Sequence, residues 1–420
     1  MTKRPFFGIA PKKLSYTVVS DIRAGSSEDV PAPRKAVFFV DRPFNAPALA
    51  LASGDTVARG AVIRPYKDGE GYFVCSVSGQ VSGIAPYTDA RGRKQTSVTV
   101  EAKGGEERQT VAGPAQDLAT ALGHLENCPG GLKLSRANGK GIKTVVVLGM
   151  DQDLFSTAAQ QVVRDFGAEI AAGVGALKKI LGAADAVMVA PAALQKDAQA
   201  AGVEVKVLST AYPDALPALV MSKLFNATLP AGSSPEDAGF FFVTAEAAAS
   251  VGAFFKTGRV PDEKMITVVP KESGAKLQNF RARVGAPVAD VLAAANVVVN
   301  GGDRVVLGGP MRGAALFSTD QPVLPDTDVI MVQAGETLAE ISDNPCINCG
   351  DCVRVCPAKM AVNMLIRYLE NGQYRPAADL YDLFSCVECG LCAFVCPARI
   401  PILQYIMLGK HEIAVEEAQA

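Results

Sequence analysis

The run Cys346-Ile347-Asn348-Cys349-Gly350-Asp351-Cys352-Val353-Arg354-Val355-Cys356-Pro357 returns as Cys386-Val387-Glu388-Cys389-Gly390-Leu391-Cys392-Ala393-Phe394-Val395-Cys396-Pro397, with matching residues forty positions apart, 346 against 386. Three cysteines two residues apart wrap three corners of a cubane 4Fe-4S cluster. In paired runs of this spacing the fourth cysteine serves the other cluster. The spacing therefore predicts cluster I on Cys346, Cys349, Cys352 and Cys396, and cluster II on Cys386, Cys389, Cys392 and Cys356. Structural zinc accepts four cysteines, and secreted chains pair them as disulfides. Neither alternative accounts for a third CxxC step, an x3 step and a trailing proline, all duplicated.

Composition bounds the rest. A chain of 420 residues exceeds one hydrophobic core and predicts about two to four domains. The net charge of -2 comes without a long basic block, so no nucleic-acid footprint is indicated. Tryptophan is absent and the two histidines, His124 and His411, stand alone, which argues against a histidine metal site or a histidine-dependent hydrolase. The start, MTKRPFFGIAPKK, is basic without an apolar core and does not read as a secretory signal. No apolar stretch approaches the roughly 18 residues of a membrane span. Outside the runs only Cys75 and Cys128 remain, so cysteine usage predicts a reducing compartment, the cytoplasm.

Working back from the cysteines, Val37 to Glu101 reads as short strands broken by glycine turns, in KAVFFV, GDTVARGAVI and GYFVCSVSGQVSGI. The pattern Gly54-Asp55-x-Val57-x-x-Gly60 with Ser78-Gly79-x-Val81 resembles the barrel-sandwich hybrid fold of lipoyl and biotinyl carriers. The turn Lys67-Asp68-Gly69-Glu70-Gly71 lacks their Met-Lys-Met hairpin, so this module reads as structural or docking surface. Residues 143 to 257 alternate apolar runs (TVVVLG, DAVMVAP, VEVKVLS, FFFVT) with helical patterns over Ser156 to Leu181 and Pro213 to Leu224, which predicts a parallel sheet with covering helices. No G-x-G-x-x-G follows the first strand. Leu148-Gly149-Met150-Asp151-Gln152-Asp153 stands there, and Gly173-x-Gly175 falls inside a helical pattern, where it is no phosphate loop. Residues 259 to 335, with a turn at Gly285, a short helix over Val288 to Ala295 and the turn Gly308-Gly309-Pro310-Met311, read as a compact β-grasp unit, and Gln333 to Asn344 as a linker. Between the cysteine runs, Met360, Met364, Leu365, Tyr368 and Leu369 fall at helical spacing and Ala377 to Phe384 reads as a second helix. The cysteine module is thus expected to be helical.

In this order the regions resemble the RnfC-like component of the Rnf-type ion-translocating oxidoreductase complex. The resemblance rests on Phe7-Gly8-Ile9, the barrel-sandwich pattern, the sheet region, Gly308-Gly309-Pro310-Met311-x-Gly313 and the paired cysteine runs. It implies a multidomain α/β plus β chain: an N-terminal arm (1–30), a barrel-sandwich hybrid (31–105), a Rossmann-like parallel-sheet domain (106–257), a soluble-ligand-binding β-grasp (SLBB) unit (258–335), a C-terminal α-helical 2x[4Fe-4S] ferredoxin module (336–410) and a tail (411–420). It also implies a peripheral electron-transfer subunit at the cytoplasmic face of the cell membrane. Its partners would be membrane subunits and a one-electron protein such as ferredoxin.

Members of this group that bind FMN and NAD carry a G-L-G-G-A-G-F-P-T loop and an A-E-C-E-P segment. Here Leu122 to Gly131 reads LGHLENCPGG and Gly149 to Leu154 reads GMDQDL, so FMN and NAD are expected to be absent. The residues left to do the chemistry are the eight cysteines. The alternatives are an NADH- and FMN-dependent dehydrogenase subunit and a non-redox scaffold. The arm from Lys3 to Lys13, the stretch Ile400 to Leu408 and the loop side chains Asn348, Asp351, Arg354, Glu388 and Phe394 are candidate docking surfaces.

Overall fold

A computed structural model describes residues 13–19, 27–89, 92–105, 108–110, 117–272, 276–338, 341–342 and 344–419. Most of the expected N-terminal arm, including Phe7-Gly8-Ile9, lies outside these residues. The chain forms two compact units: Thr17–Thr210 with Ser234–Thr337, and Met1–Tyr16 with Ala211–Ser233 and Leu338–Ala420. The helix Pro217–Leu224, which its pattern groups with the parallel sheet, therefore belongs with the cysteine module.

In the first unit, a four-stranded all-parallel sheet runs in the order Glu204–Leu208, Asp185–Pro191, Thr144–Leu148, Phe240–Thr244. Val145, Val146 and Val147 are all fully buried, as expected where both faces of a strand are covered and the sequence shows an unbroken apolar run instead of alternation. The predicted helix from Ser156 is two helices, Ala158–Asp165 and Gly167–Leu181, parted at Phe166. The second packs on Ala245–Thr257 through two glycines. A Cβ on Gly173 would lie 1.8 Å from the Ala248 carbonyl oxygen, and one on Gly252 would lie 1.9 Å from that of Glu169. Gly173 thus serves helix contact, which is why it resembles a phosphate loop in composition alone.

Two further sheets complete this unit. Lys35–Val40, Lys94–Ala102, Gly79–Thr88 and Thr56–Val57 form an antiparallel sheet. Alternate residues of KAVFFV point into a core that includes Phe38, Val40, Tyr66 and Val98. The other sheet has six strands, with Glu263–Val269 and Val329–Gln333 parallel at its centre and the helix Val288–Ala294 against it. Glu28–Asp29, within the stretch read as an arm, pairs with Gln278–Arg283 at one edge. Buried charges tie the sheets together. Arg59 Nε donates to Asp262 at 2.6 Å, and Lys264, wholly buried, binds both Glu246 and Asp328.

The second unit is helical among its described residues apart from one bridge, Ser15 to Ala211. Its helices Asp351–Val355, Val362–Glu370, Tyr374–Tyr381, Leu391–Val395 and Ile402–Gln419 enclose a core of Met360, Leu365, Ile366, Leu369, Ile402 and Ile406. The helix expected from Ala377 to Phe384 instead spans Tyr374–Tyr381, ended by Asp382 in the left-handed region at φ 54°. The stretch Ile400 to Leu408 packs into this core, with Leu408 half exposed.

Candidate metal centres

The duplication in sequence is a duplication in backbone. Asn348 and Glu388 have φ of 55° and 54°, Gly350 and Gly390 74° and 73°, and Lys359 and Arg399 58° and 55°. Three positions per repeat thus adopt the left-handed conformation, which non-glycine residues seldom take up. Each loop then enters a five-residue helix, Asp351–Val355 or Leu391–Val395, that ends at the fourth cysteine in extended conformation: Cys356 at φ -64°, ψ 118° and Cys396 at φ -66°, ψ 114°. The helix stops there because a proline follows, and residues preceding proline avoid the helical region.

Cys346, Cys349, Cys352 and Cys396 line one small pocket, closed by Ile366 and Ile400. The last cysteine of the second run thus joins the first trio. The reciprocal grouping is seen in the electrostatics of the thiols. Burial pushes Cys389 up to about 11, with Cys386 and Cys356 adding to the rise. Burial raises Cys392 further, again with Cys386, Cys389 and Cys356 adding. Cys352 is pushed up to about 11 by burial and by Cys346 and Cys349. Crowded buried thiols resist ionisation unless positive charge is supplied to them, and metal ligation by cysteine requires the thiolate. All-sulfur donors grouped in this way suit an iron–sulfur cluster. Among the described residues, no three His, Cys, Asp or Glu side chains are grouped as ligands of a single metal ion. Cys75 and Cys128 lie buried in the other unit, each with its thiol raised by burial.

The surrounding polar contacts include several that spacing could not reveal. The buried Tyr212 hydroxyl donates to the Cys389 carbonyl at 2.6 Å. Lys410 Nζ donates to the Cys386 carbonyl at 2.9 Å and to Glu388 Oε1 at 2.8 Å. Arg354 donates to the Cys349 carbonyl at 3.1 Å and pairs with Asp351. The Glu388 backbone N–H points at Cys386 Sγ, 3.4 Å away. Tyr212 and Lys410 lie 177 and 24 residues from the cysteines they contact. No sequence signal marks either. The charges of Asp351, Arg354 and Glu388, expected to face solvent, are thus paired internally.

The segments that replace the flavin motifs lie in the first unit. The Pro129 and Gly130 carbonyls accept from Ser250 Oγ at 3.0 Å and Thr244 Oγ1 at 2.9 Å, and Thr244 caps the helix Ala245–Thr257. A Cβ on Gly130 would lie 2.3 Å from the Ala247 nitrogen. The Asp153 carboxylate accepts from the backbone N–H groups of Leu154 (2.7 Å), Met311 (3.2 Å) and Arg312 (2.7 Å), filling the concavity of the Gly308-Gly309-Pro310-Met311 turn. Burial pushes its pKa up to about 6 against these three donors. A cavity of about 170 Å³ adjoins the 126–131 loop between Phe38, Tyr72 and Tyr87. Another, of about 500 Å³, is walled by charges of both signs, among them Arg108, Glu169, Arg259 and Arg281.

These loops define a class, the dicluster iron–sulfur domain, and residues 336–400 match the family described as "4Fe-4S dicluster domain". The wider chain is homologous to the C component of ion-translocating oxidoreductase complexes. It is 29% identical to the Klebsiella pneumoniae protein over 87% of this chain and 52% of that one, and 30% identical to the Pseudomonas aeruginosa protein over 79% and 45%. The Erwinia tasmaniensis protein is 28% identical over 89% and 49%. The chain spans about half the length of these curated relatives. Among solved structures, an NAD+-reducing [NiFe]-hydrogenase in the H2-reduced state is similar at a TM-score of 0.46 and 12% identity, over 71% of this chain and 65% of that chain. No helix among the described residues is long and apolar enough to cross a membrane.

Proposed function

We propose that the chain is an electron-transfer subunit of an ion-translocating oxidoreductase complex, carrying single electrons through two 4Fe-4S clusters. Cluster I is held by Cys346, Cys349, Cys352 and Cys396, and cluster II by Cys386, Cys389, Cys392 and Cys356. The observation that carries this reading is the crossing of the fourth cysteines: Cys396 lines the pocket of the first trio, and the charge of Cys356 acts on the second. When bound, a cluster of this kind takes up and releases one electron at a time. The chain's own part is to hold eight thiolates, shield them with Ile366 and Ile400, and satisfy the loop carbonyls through Tyr212, Arg354 and Lys410.

The same reading places neither FMN nor NAD on the chain. A flavin phosphate needs backbone amides free to approach it. Asp153 already accepts from those of Met311 and Arg312, and the 129–130 carbonyls are bonded to the helix that would face a nucleotide. The 170 Å³ cavity beside that loop is also below the usual size of a cofactor pocket, about 300 Å³ or more. The first unit then serves as scaffold and docking body: a barrel-sandwich hybrid (31–105), a Rossmann-like domain (106–257) and an SLBB β-grasp unit (258–335), ahead of the dicluster module (336–410). The subunit sits peripherally at the cytoplasmic face, attached through partner subunits, and exchanges electrons with a one-electron protein such as ferredoxin.

Stopped-flow mixing of the cluster-loaded protein with reduced ferredoxin and, separately, with NADH tests the proposal. Bleaching of the cluster absorbance by ferredoxin and not by NADH supports it, because a hydride donor needs a two-electron cofactor to divide its pair into single electrons. Fast reduction by NADH alone would overturn it in favour of a flavoprotein dehydrogenase.

A further inference from the structure

The duplicated loops differ in charge at one matched position. In the second loop Glu388 follows Cys386 by two residues, and its carboxylate is bound by Lys410 at 2.8 Å. The same ammonium reaches the Cys386 carbonyl at 2.9 Å. Both side chains are largely shielded, 20% exposed for Lys410 and 29% for Glu388. Lys410 is brought there by the helix Ile402–Gln419, anchored through Ile402, Ile406 and Ile413 in the module's core. In the first loop the matching residue is Asn348, whose amide oxygen accepts from Asn363 Nδ2 at 2.9 Å. A neutral amide pair thus stands where the second loop has an ion pair.

Reduction adds one negative charge to a cluster, so a nearby fixed cation favours the reduced form and a nearby anion the oxidised one. In a partly shielded site the attenuation is far less than in water. The Cys386 sulfur feels both charges. Burial raises its pKa most, Lys410 opposes the rise and Glu388 adds to it.

We propose that Lys410 and Glu388 act as opposed charges that set the reduction potential of the cluster on Cys386, Cys389, Cys392 and Cys356, distinguishing it from its duplicate and giving the electron path a direction. This rests on the cluster assignment above. Lys410 and Glu388 are positioning residues in this account, because neither ligates iron.

The test is an EPR-monitored titration of the reconstituted full chain, with dithionite supplying the electron and Cys392→Ser identifying the signal of the second cluster. Lys410→Met should lower the potential of that signal and Glu388→Gln should raise it, each by about a tenfold change in the reduction equilibrium, 59 mV for a one-electron couple. Lys410→Arg should keep the wild-type value, the double variant should return towards it, and the other signal should stay in place. Shifts of the same sign in the two single variants, equal shifts in both signals, or no shift with about eight iron atoms bound would overturn the inference and leave the cluster assignment standing. A wild-type chain that binds zinc or only about four iron atoms would overturn both.

Discussion

The hydroxyl of Tyr212 donates to the carbonyl of Cys389 at 2.6 Å, with both residues buried. Residue 212 precedes the cysteine module by well over a hundred positions, yet the segment Ala211–Ser233 packs with that module. Tyr16 lies against the Tyr212 ring, 5.2 Å between centroids, and its hydroxyl accepts from the Ala215 N–H at 3.3 Å. A carbonyl between two cysteines of the second run is thus satisfied from a distant stretch of chain.

Tyr212→Phe keeps the ring and removes the donor, leaving a buried carbonyl short of a partner at a cost of about 1–3 kcal/mol. The expected outcome is faster iron loss to a chelator and a lower Tm for cluster loss, with the sheet unit unchanged. Iron release at the wild-type rate would show that the hydroxyl contributes nothing to the loop.

Crossed ligation predicts which cysteine variants resemble each other. Cys356→Ser should damage the same cluster as Cys392→Ser, and Cys396→Ser the same cluster as Cys352→Ser, although each pair spans both runs. EPR of the reduced variants reads this out through which signal survives. Pairing within runs, Cys356 with Cys352, would contradict it. Cys75→Ala and Cys128→Ala should leave the iron content unchanged.

Gly173 and Gly175 give a matched pair on one helix. Gly173→Ala drives a methyl group into the Ala248 carbonyl and should cost about 3 kcal/mol. Gly175 has open space around its Cβ position, so Gly175→Ala should stabilise by about 0.5–1 kcal/mol through helix propensity. Denaturant unfolding measures both, and equal effects would show that the close crossing is wrongly placed.

Asp153 predicts a pH dependence. Its pKa is raised to about 6 in the fold, above the roughly 3.9 of an unfolded chain. The stability it contributes is therefore fully present below about pH 4 and is lost as pH rises through about 6, amounting to about 2–3 kcal/mol. Asp153→Asn should remove that part of the slope in unfolding experiments between pH 4 and 7. A slope identical to wild type would mean that the carboxylate is not held in the Met311–Arg312 turn as described.

The sequence announced the cysteine module because its chemistry demands fixed spacing. Cys346 to Pro357 and Cys386 to Pro397 could be read without knowing anything around them. The parallel sheet was also readable, since TVVVLG and DAVMVAP carry the unbroken apolar signal of strands covered on both faces. Contacts set by tertiary packing were not readable. Gly173 suggested a degenerate phosphate loop until its closeness to Ala248 explained it. Tyr212 and Lys410 reach the cysteine loops across long separations that no periodicity encodes. Asp153 was noted only as part of a replaced motif, and its place in the 308–311 turn depends on two sheets meeting.

The most direct measurement is the iron and acid-labile sulfide content of the anaerobically reconstituted chain, taken with its zinc content. The account predicts about eight iron atoms and eight sulfides per chain, as two cubanes of four, and no stoichiometric zinc. About four irons, or zinc in place of iron, would contradict it.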